Sequence, residues 1–239
     1  QREQQYTAPA PKPGYEICKR IFDVIMSILA LIFLSPLLLV TTIAILVQDG
    51  GKPIYSQTRL TKGGRAFKMY KFRSMRIGAE ELLDELMDQN EMIGPIFKMK
   101  DDPRITPVGR FIRRTSIDEL PQLINIIKGD MSFVGPRPEC PDIHKEYCKI
   151  VQEFDFRLKV KAGLTGFAQV YGKYNTSPYD KVKLDLTYIE NYSFLLDLKL
   201  VFLTFKVIFH PDNTEGIEQW QTTAALKSEQ QDSKEEQNV

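Results

Sequence analysis

Two adjacent carboxylates, Asp118 and Glu119, follow closely on Arg113 and Arg114 and lie just before Pro121. The start of a helix has a positive potential and free N–H groups, so it keeps a carboxylate ionised and also accepts a phosphate. Arginine adds forked donors that suit phosphate oxygens. An ionised carboxylate held there with a divalent cation can attack a phosphoryl group, and a second carboxylate can take a proton from the acceptor. The pair therefore predicts phosphoryl transfer.

The same residues also fit a structural role at a helix start. Ser116 and Glu119 have the spacing of a capping box, in which each side chain bonds the backbone N–H of the other residue. In a second arrangement Asp118 is itself the capping residue, and Pro121 lies in the first turn, where its missing N–H costs little. For an isolated acid pair capping is the commoner explanation, so it is the basic surroundings that favour chemistry.

Two loops further along the chain are candidates for phosphate contacts. The segment GDMSFVGPRPE (129–139) places Arg137 between two prolines, which restrict the backbone and hence the positions open to its side chain. The segment KAGLTGFAQVYGK (161–173) contains Gly163, Gly166 and Gly172, and glycine lets a backbone approach a ligand closely. The alternative for the first segment is a plain rigid turn. The second segment is weak evidence alone, because it lacks the order of a nucleotide-binding fingerprint.

The chain of 239 residues is 43% hydrophobic, which is enough for one sizeable core. Its formal net charge is only +1, but the stretch from Gly50 to Ala79 is basic and contains no acidic residue. The three cysteines, Cys18, Cys140 and Cys148, lack CxxC spacing, which argues against a disulfide scaffold or a zinc module and for a reducing compartment. With only two histidines, a histidine triad or a histidine-rich metal site is disfavoured.

An apolar segment runs from Ile21 to Val47 and contains one charge, Asp23. Two topologies are open. A proline-kinked helix of this length can span the ~30 Å hydrocarbon core. Alternatively, Ser35-Pro36 breaks the segment into two halves that enter and leave by one face, which the basic flanks on both sides favour under the positive-inside rule. A bend in lipid frees carbonyl groups, which Ser35 or packed protein must then satisfy.

The remaining pattern predicts a compact α+β domain with many short elements. Alternation in KPIYSQTRL (52–60) and AFKMYKFRSM (66–75), joined by TKGG, predicts a short β-hairpin. Helices are expected before Gly129 and over about 144–160 and 179–191. The segment 193–210 is apolar apart from a thin polar stripe, so it is either a buried core helix or a helix lying in the membrane interface.

Four segments, in order, resemble the bacterial sugar transferase family, the monotopic polyprenyl-phosphate phosphoglycosyl transferases: KRIFDVIMSILALIFLSPLLL, YKFRSM, DPRITPVGRFIRRTSIDELPQLINIIKGDMSFVGPRPE and GLTGFAQVYG. The resemblance implies transfer of a sugar 1-phosphate from a UDP-sugar to undecaprenyl phosphate with release of UMP, as the first membrane step of surface glycan synthesis. It further implies a ping-pong mechanism. In it Asp118 is the nucleophile and forms a covalent phosphosugar, Glu119 is the base, and Mg²⁺ lies beside Asp118.

The resemblance also assigns roles outside the acid pair. It implies substrate-phosphate contacts for Lys71, Arg73, Arg113, Arg137, Gln169 and Lys173. It implies membrane-anchor roles for Lys19, Arg20, Ser35 and Pro36, with the first two at the lipid headgroups. The chain departs from the family pattern at 161–163, which read Lys-Ala-Gly in place of Arg-Pro-Gly, and at 173, where lysine replaces an arginine and loses its bidentate fork.

Four regions are expected: a disordered segment 1–18, a re-entrant membrane helix 19–49, a cytoplasmic catalytic domain with interfacial helices 50–211, and a polar tail 212–239. The expected location is the bacterial inner (cytoplasmic) membrane, with the catalytic domain on its cytoplasmic face. The expected partners are a UDP-sugar, undecaprenyl phosphate and membrane lipids, and a homodimer is a further candidate. The alternative function is a non-catalytic basic adaptor that binds anionic lipids. Nucleic-acid binding by the basic stretch is disfavoured by its hydrophobic neighbour.

Overall fold

The computed structural model describes residues 12–82, 86–87, 99, 101–172 and 178–209. In chain order it contains α1 (Pro13–Asp49), β1 (Ile54–Thr61), β2 (Arg65–Phe72), α2 (Pro107–Arg114), α3 (Gln122–Lys128), β3 (Met131–Val134), α4 (Pro141–Ile150), β4 (Ala162–Thr165), α5 (Phe167–Tyr171), α6 (Pro178–Asn191) and α7 (Phe194–Phe209). Two 3-10 elements used below are Ile117–Glu119, which precedes α3, and Gln152–Lys159, which follows α4. This helix-rich arrangement is consistent with the α+β class that the sequence predicts.

Helix α1 runs without interruption through Pro36, so the predicted break into two helices is wrong. Proline at this position leaves the carbonyl of Ile32 without its usual helical donor. The hydroxyl of Ser35 donates to that same carbonyl at 2.8 Å and replaces the missing bond. Ser35 thus satisfies the carbonyl group that Pro36 leaves free, as the sequence predicted, but it does so within a continuous helix.

One face of α1 contacts the rest of the protein along most of its length. Ala30 and Leu31 pack against the core formed by α3 and β2, Ile45 is almost fully buried, and Gln48 accepts a hydrogen bond from the N–H of Val108 at 3.0 Å. The other face exposes large apolar side chains from end to end, namely Ile17, Ile21, Ile25, Leu29, Ile32, Phe33, Leu39, Val40, Ile43 and Val47. Among the described helices, α1 alone is long and apolar enough to cross a membrane, judged by length and composition.

Helix α1 begins at Pro13, so residues 13–18, which were expected to be disordered, are helical. A buried polar network holds this end. Asp197 of α7 accepts hydrogen bonds from Tyr15 at 2.6 Å, from Lys19 at 2.5 Å and from Tyr188 of α6 at 2.8 Å. Because a buried carboxylate needs such partners, the network fixes α1 against α6 and α7. Residues 1–11 and the predicted tail 212–239 lie outside the described residues.

The predicted β-hairpin is confirmed: β1 and β2 pair antiparallel over their full lengths. The fully buried amide of Asn125, on α3, ties this hairpin to the core. Its oxygen accepts from the N–H of Tyr70 at 3.0 Å, and its nitrogen donates to the carbonyl of Lys68 at 2.8 Å. Lys71 follows Tyr70 directly, so Asn125 fixes the part of the strand that carries it.

A second sheet, which the sequence did not predict, pairs β3 with β4 in parallel. Glycines allow the backbones to meet at its end. A Cβ on Gly163 would lie 2.1 Å from the backbone nitrogen of Gly135, and the N–H of Gly163 donates to the carbonyl of Pro136 at 2.9 Å. At Gly163 the glycine-rich loop therefore packs against another backbone, and it thereby sets the position of the turn that carries Arg137.

Helix α7 packs against the core, which was one of the two alternatives that the sequence left open, but it does so with one side only. Leu200 faces inward and is fully buried, whereas Leu195, Phe202 and Phe205 are 79%, 72% and 56% exposed. The helix therefore packs on the core with one side and presents apolar side chains on the other. A pair of phenylalanine rings brings α7 into contact with α1. The exposed apolar faces of these two helices therefore lie in the same part of the protein. Exposed apolar faces of this kind typically contact lipid or another protein.

Candidate active site

Asp118 and Glu119 lie in the 3-10 turn between α2 and α3. Neither predicted capping arrangement is present, because Ser116 makes no side-chain capping bond and α3 begins only at Gln122, also without a side-chain cap. Ser116 instead adopts a left-handed backbone with φ of 56°, which costs a non-glycine residue about 1 kcal/mol or more. A strained turn thus presents the two carboxylates without using them as caps.

Glu119 is clamped between two cations. Its carboxylate accepts from Lys71 Nζ at 2.9 Å and from an Arg137 nitrogen at 2.7 Å. Burial alone would raise the pKa of Glu119, but Arg137 and Lys71 outweigh it and hold that pKa far below its ordinary range. Glu119 is therefore ionised at any physiological pH, and its main visible role is to hold two cations beside Asp118.

The pKa of Asp118 is shifted in the opposite direction. This residue is 8% exposed. Burial raises the pKa of its carboxyl, and the lowering by Lys71, Arg113 and Arg137 does not cancel the rise. The hydrogen bonds of these cations go to Glu119 and Ser74, so among the described residues they leave the Asp118 oxygens uncommitted. Two neighbouring carboxyls with pKa values pushed apart are a frequent arrangement at catalytic sites.

The cations around Asp118 come from three separate elements. Lys71 is the penultimate residue of β2, Arg113 lies in the last turn of α2, and Arg137 lies in the turn after β3. Desolvation lowers the pKa of Lys71, and the Glu119 carboxylate opposes that fall. The Glu119 carboxylate raises the pKa of Arg137, whose side chain is 46% exposed. The sequence-predicted acid pair and three of the predicted phosphate contacts are therefore brought together.

Buried contacts that sequence reasoning missed position two of these cations. Arg113 donates from Nε to the hydroxyl of Ser74 at 2.8 Å. The backbone carbonyl of Arg137 accepts from Arg157 at 2.9 Å, and Arg157 also pairs with Asp185 at 2.7 Å. Asp185 is 1% exposed. The available signal was the position of Asp185 between two leucines, but the sequence does not show which partner it meets.

Of the three other predicted phosphate contacts, Arg73 and Gln169 make their hydrogen bonds away from the acid pair. Arg73 forms an ion pair with Asp49 at the end of α1. Gln169 donates to the carbonyl of Leu164 at 3.0 Å, and its buried Oε1 has no partner in the described part of the chain. Lys173 lies outside the described residues. Phosphate roles for these three residues stay predictions.

The predicted anchor residues have partners inside the protein. Lys19 pairs with Asp197, and Arg20 donates to the carbonyls of Ile126 and Ile127, at the end of α3, at 2.6 and 2.7 Å. Both residues also line a cavity of about 460 Å³ between the first half of α1 and the segments around β3, β4 and α6. Their contact with lipid headgroups stays a prediction.

A family model described as bacterial sugar transferase matches residues 14–211, which cover all the elements described above except the first residue of α1. The chain belongs to the bacterial sugar transferase family. The match includes both α1 and the site around Asp118 and Glu119, so the long apolar helix and the charged site belong to the same family domain.

Curated members of the sugar transferase family resemble the chain closely. It is 42% identical over 204 residues to the galactosyl transferase CpsE of Streptococcus agalactiae and 44% identical over 207 residues to the undecaprenyl-phosphate galactose phosphotransferase of Salmonella typhimurium. These matches cover 85% and 84% of the chain, but only 44% and 42% of the relatives, so the chain spans less than half of their length. The exopolysaccharide production protein ExoY of Sinorhizobium fredii is 41% identical over 203 residues, covering 83% of the chain and 88% of that protein.

The sugar transferase site fits a Mg²⁺ ion only in part. Mg²⁺ prefers oxygen ligands and commonly binds through one or two carboxylates together with substrate phosphates. Asp118 supplies one uncommitted carboxylate, whereas the Glu119 oxygens are occupied by Lys71 and Arg137. With three cations close by, the ion would be held weakly by the protein alone. The donor set therefore fits an ion that binds together with a diphosphate substrate.

Proposed function

We propose that the chain transfers a sugar 1-phosphate from a UDP-sugar to undecaprenyl phosphate and releases UMP, at the cytoplasmic face of the bacterial inner membrane. The observation that carries this proposal is the recessed Asp118 carboxylate with Lys71, Arg113 and Arg137 around it. Such a site suits a diphosphate, whose negative charge the three cations would balance. The names of the relatives, which include undecaprenyl-phosphate sugar phosphotransferases, support the same substrates.

In the first half-reaction the ionised Asp118 attacks the phosphorus that carries the sugar. The bond between this phosphorus and the oxygen that bridges to the UMP phosphorus breaks, and UMP leaves with that oxygen. The product on the enzyme is a sugar phosphate joined to Asp118 as an acyl phosphate. Burial of Asp118 supports this role, because a desolvated carboxylate with a raised pKa is a stronger nucleophile than one in water.

In the second half-reaction a phosphate oxygen of undecaprenyl phosphate attacks the same phosphorus. The bond to Asp118 breaks, the carboxylate is restored, and the product is an undecaprenyl diphosphate sugar. A phosphate monoester has a second pKa of about 6, so the acceptor is already largely ionised at neutral pH. A base is therefore hardly needed.

Glu119 is proposed to position Lys71 and Arg137 rather than to act mainly as a base. Its low pKa makes it a poor proton acceptor in the free protein. Its ion pairs with both cations keep them next to Asp118, where substrate oxygens would replace or join the carboxylate. A bound Mg²⁺ at Asp118 would supply further charge neutralisation on the phosphates.

The membrane arrangement proposed is monotopic, with both ends of α1 on the side of the catalytic domain. Contacts with the domain occur near Arg20, at Leu31 and at Gln48. A span needs about 20 residues free of a domain on one side of the bilayer, and these contacts leave no such stretch. The exposed apolar faces of α1 and α7 would then face the lipid.

The proposed reaction is tested with the chain in lipid nanodiscs that contain undecaprenyl phosphate, supplied with a panel of UDP-sugars and Mg²⁺. We expect UMP release that depends on the lipid acceptor, together with a labelled lipid product. The nucleotide is decisive, because transfer of the sugar alone would release UDP. Release of UDP, or binding to lipid without any turnover on every donor tested, would contradict the proposed function.

The topology is tested by thiol labelling in sealed vesicles. Cys18 is naturally exposed near the start of α1, and Lys52→Cys places a thiol just after its end, with the other two cysteines changed to serine. We expect an impermeant reagent to label both thiols from the same side. Labelling from opposite sides would mean that α1 spans the membrane.

A further inference from the structure

A cluster of three potential metal ligands lies outside the proposed active site. His144 and Cys148 are four residues apart on α4, so they share one face of that helix. Asp155 comes from the 3-10 element that follows. Cys148 Sγ is 3.4 Å from His144 Nε2, Asp155 Oδ1 is 3.2 Å from the same nitrogen, and the three ligand atoms all lie within 4.8 Å of one another.

Neither protonation state of His144 Nε2 gives all three side chains of this cluster a suitable hydrogen-bond partner. If Nε2 of His144 carries a proton it donates to Asp155, and the thiol of Cys148 then has no acceptor there. If Nε2 is unprotonated it accepts from the thiol but faces the carboxylate with a lone pair. A cation between the three atoms would resolve the conflict for all of them.

Two of the three ligand–ligand distances are close to the edges of a tetrahedral zinc site, and the third is no longer than 4.8 Å. Bond lengths of 2.0–2.2 Å to nitrogen or oxygen and of 2.3 Å to sulfur give ligand–ligand separations of about 3.4 to 3.6 Å. The observed 3.2 and 3.4 Å are shorter by only about 0.2 Å. The His144 side chain is buried whereas that of Asp155 is 72% exposed, so the cluster is open to solvent on one side and water can complete the coordination.

We propose that His144, Cys148 and Asp155 form a binding site for a borderline divalent metal ion of the Zn²⁺ class. Binding expels the thiol proton to solvent and forms bonds from the metal to sulfur, nitrogen and oxygen. One thiolate and one imidazole favour Zn²⁺ or Co²⁺ over Mg²⁺, which prefers oxygen ligands alone. The site is therefore separate in chemistry from the Mg²⁺ expected at Asp118.

The metal would fasten the 3-10 element to α4. Two residues beyond Asp155, the same element carries Arg157, which donates to the carbonyl of Arg137 and pairs with buried Asp185. The ring of Phe154, next to Asp155, contacts the ring of His144. An ion at the cluster thus stabilises the element that supports the Arg137 turn, and we expect it to raise the melting temperature by roughly 2–5 °C.

The test uses the full chain in detergent, with excess Mg²⁺ present, titrated with Co²⁺ and then with Zn²⁺. We expect a thiolate-to-cobalt charge-transfer band and intense visible bands typical of tetrahedral Co²⁺, both of which Zn²⁺ removes. Cys148→Ser should lose the charge-transfer band. Asp155→Asn changes an exposed side chain and should not affect folding. Loss of an outer-shell partner already costs about 10- to 100-fold in affinity, so Asp155→Asn should weaken binding at least about tenfold.

The matched controls are Cys18→Ser, an exposed cysteine on α1, and Asp142→Asn, an exposed carboxylate on α4. Both should bind Co²⁺ as the unchanged chain does. The proposal is overturned if the unchanged chain gives no charge-transfer band, or if the band survives in Cys148→Ser. It is equally overturned if Asp155→Asn binds with unchanged affinity, since a three-ligand site would then not exist.

Discussion

Replacing Asp118 with asparagine should abolish transfer while making the protein slightly more stable. Loss of the proposed nucleophile should lower the rate by at least about 10³-fold, because the covalent bond from Asp118 to phosphorus can no longer form. The stability of the protein should rise rather than fall. In the folded protein the pKa of Asp118 is raised, so the carboxyl favours folding at low pH, and this contribution is lost as pH rises through the raised pKa.

At neutral pH the burial that raises the pKa of Asp118 is therefore a net cost to folding, and the neutral asparagine removes it. We expect a melting temperature about 2–4 °C higher than that of the unchanged chain, measured by thermal unfolding in detergent. The rise should shrink as pH falls, since both proteins then carry a neutral side chain. Undiminished UMP release from the variant would contradict the nucleophile role of Asp118, whereas no UMP release even from the unchanged chain would favour a lipid-binding adaptor.

Replacing Glu119 with glutamine should reduce both activity and stability. The pKa of Glu119 is lowered in the folded protein, so its contribution to stability is present above its ordinary pKa and is lost only as pH falls through the lowered value. Glutamine removes the charge that Lys71 and Arg137 face. A loss of about 1–3 kcal/mol in unfolding free energy is expected at neutral pH, since all three side chains are partly exposed and water screens the pair.

The Glu119→Gln variant also separates two roles for this residue. If Glu119 were only the base for the lipid acceptor, release of UMP in a single turnover without lipid would be unchanged. Because we propose that it positions Lys71 and Arg137, that first half-reaction should slow by about 10²-fold or more as well. Rapid-quench measurement of UMP decides between them. Glu146→Gln, at an exposed ion pair on α4, is the control and should alter neither rate nor stability measurably.

Much of the candidate site could be predicted from residue types alone. Asp118 and Glu119 stood out because two acids in a strongly basic neighbourhood are unusual, and Lys71, Arg113 and Arg137 do converge on them. The hairpin followed from simple alternation and a glycine turn. What the sequence could not show was how the carboxylates are held. They sit in a strained 3-10 turn at Ser116, not in a helix cap, and cations take the place of the helix terminus as the source of positive potential.

Other features depend on contacts between distant segments, which local pattern does not reveal. The proline in α1 predicts a break, yet one hydroxyl, that of Ser35, is enough to continue the helix. The glycines near 163 read as a ligand loop, but they meet the backbone at Gly135. Asp197 read as part of a polar stripe and is the centre of a buried network. In each case the sequence singles out the residue but does not show which other residue it contacts.

The most direct test of the mechanism is mass spectrometry of the chain after incubation with a UDP-sugar and Mg²⁺ in the absence of lipid acceptor. We expect one sugar phosphate attached to the peptide that contains Asp118, with an equal amount of UMP released. Addition of undecaprenyl phosphate should then discharge the adduct into lipid product, and Asp118→Asn should never form it. Full turnover with both substrates, but no adduct on Asp118 at any time, would contradict a covalent mechanism and would mean that the lipid attacks the UDP-sugar directly.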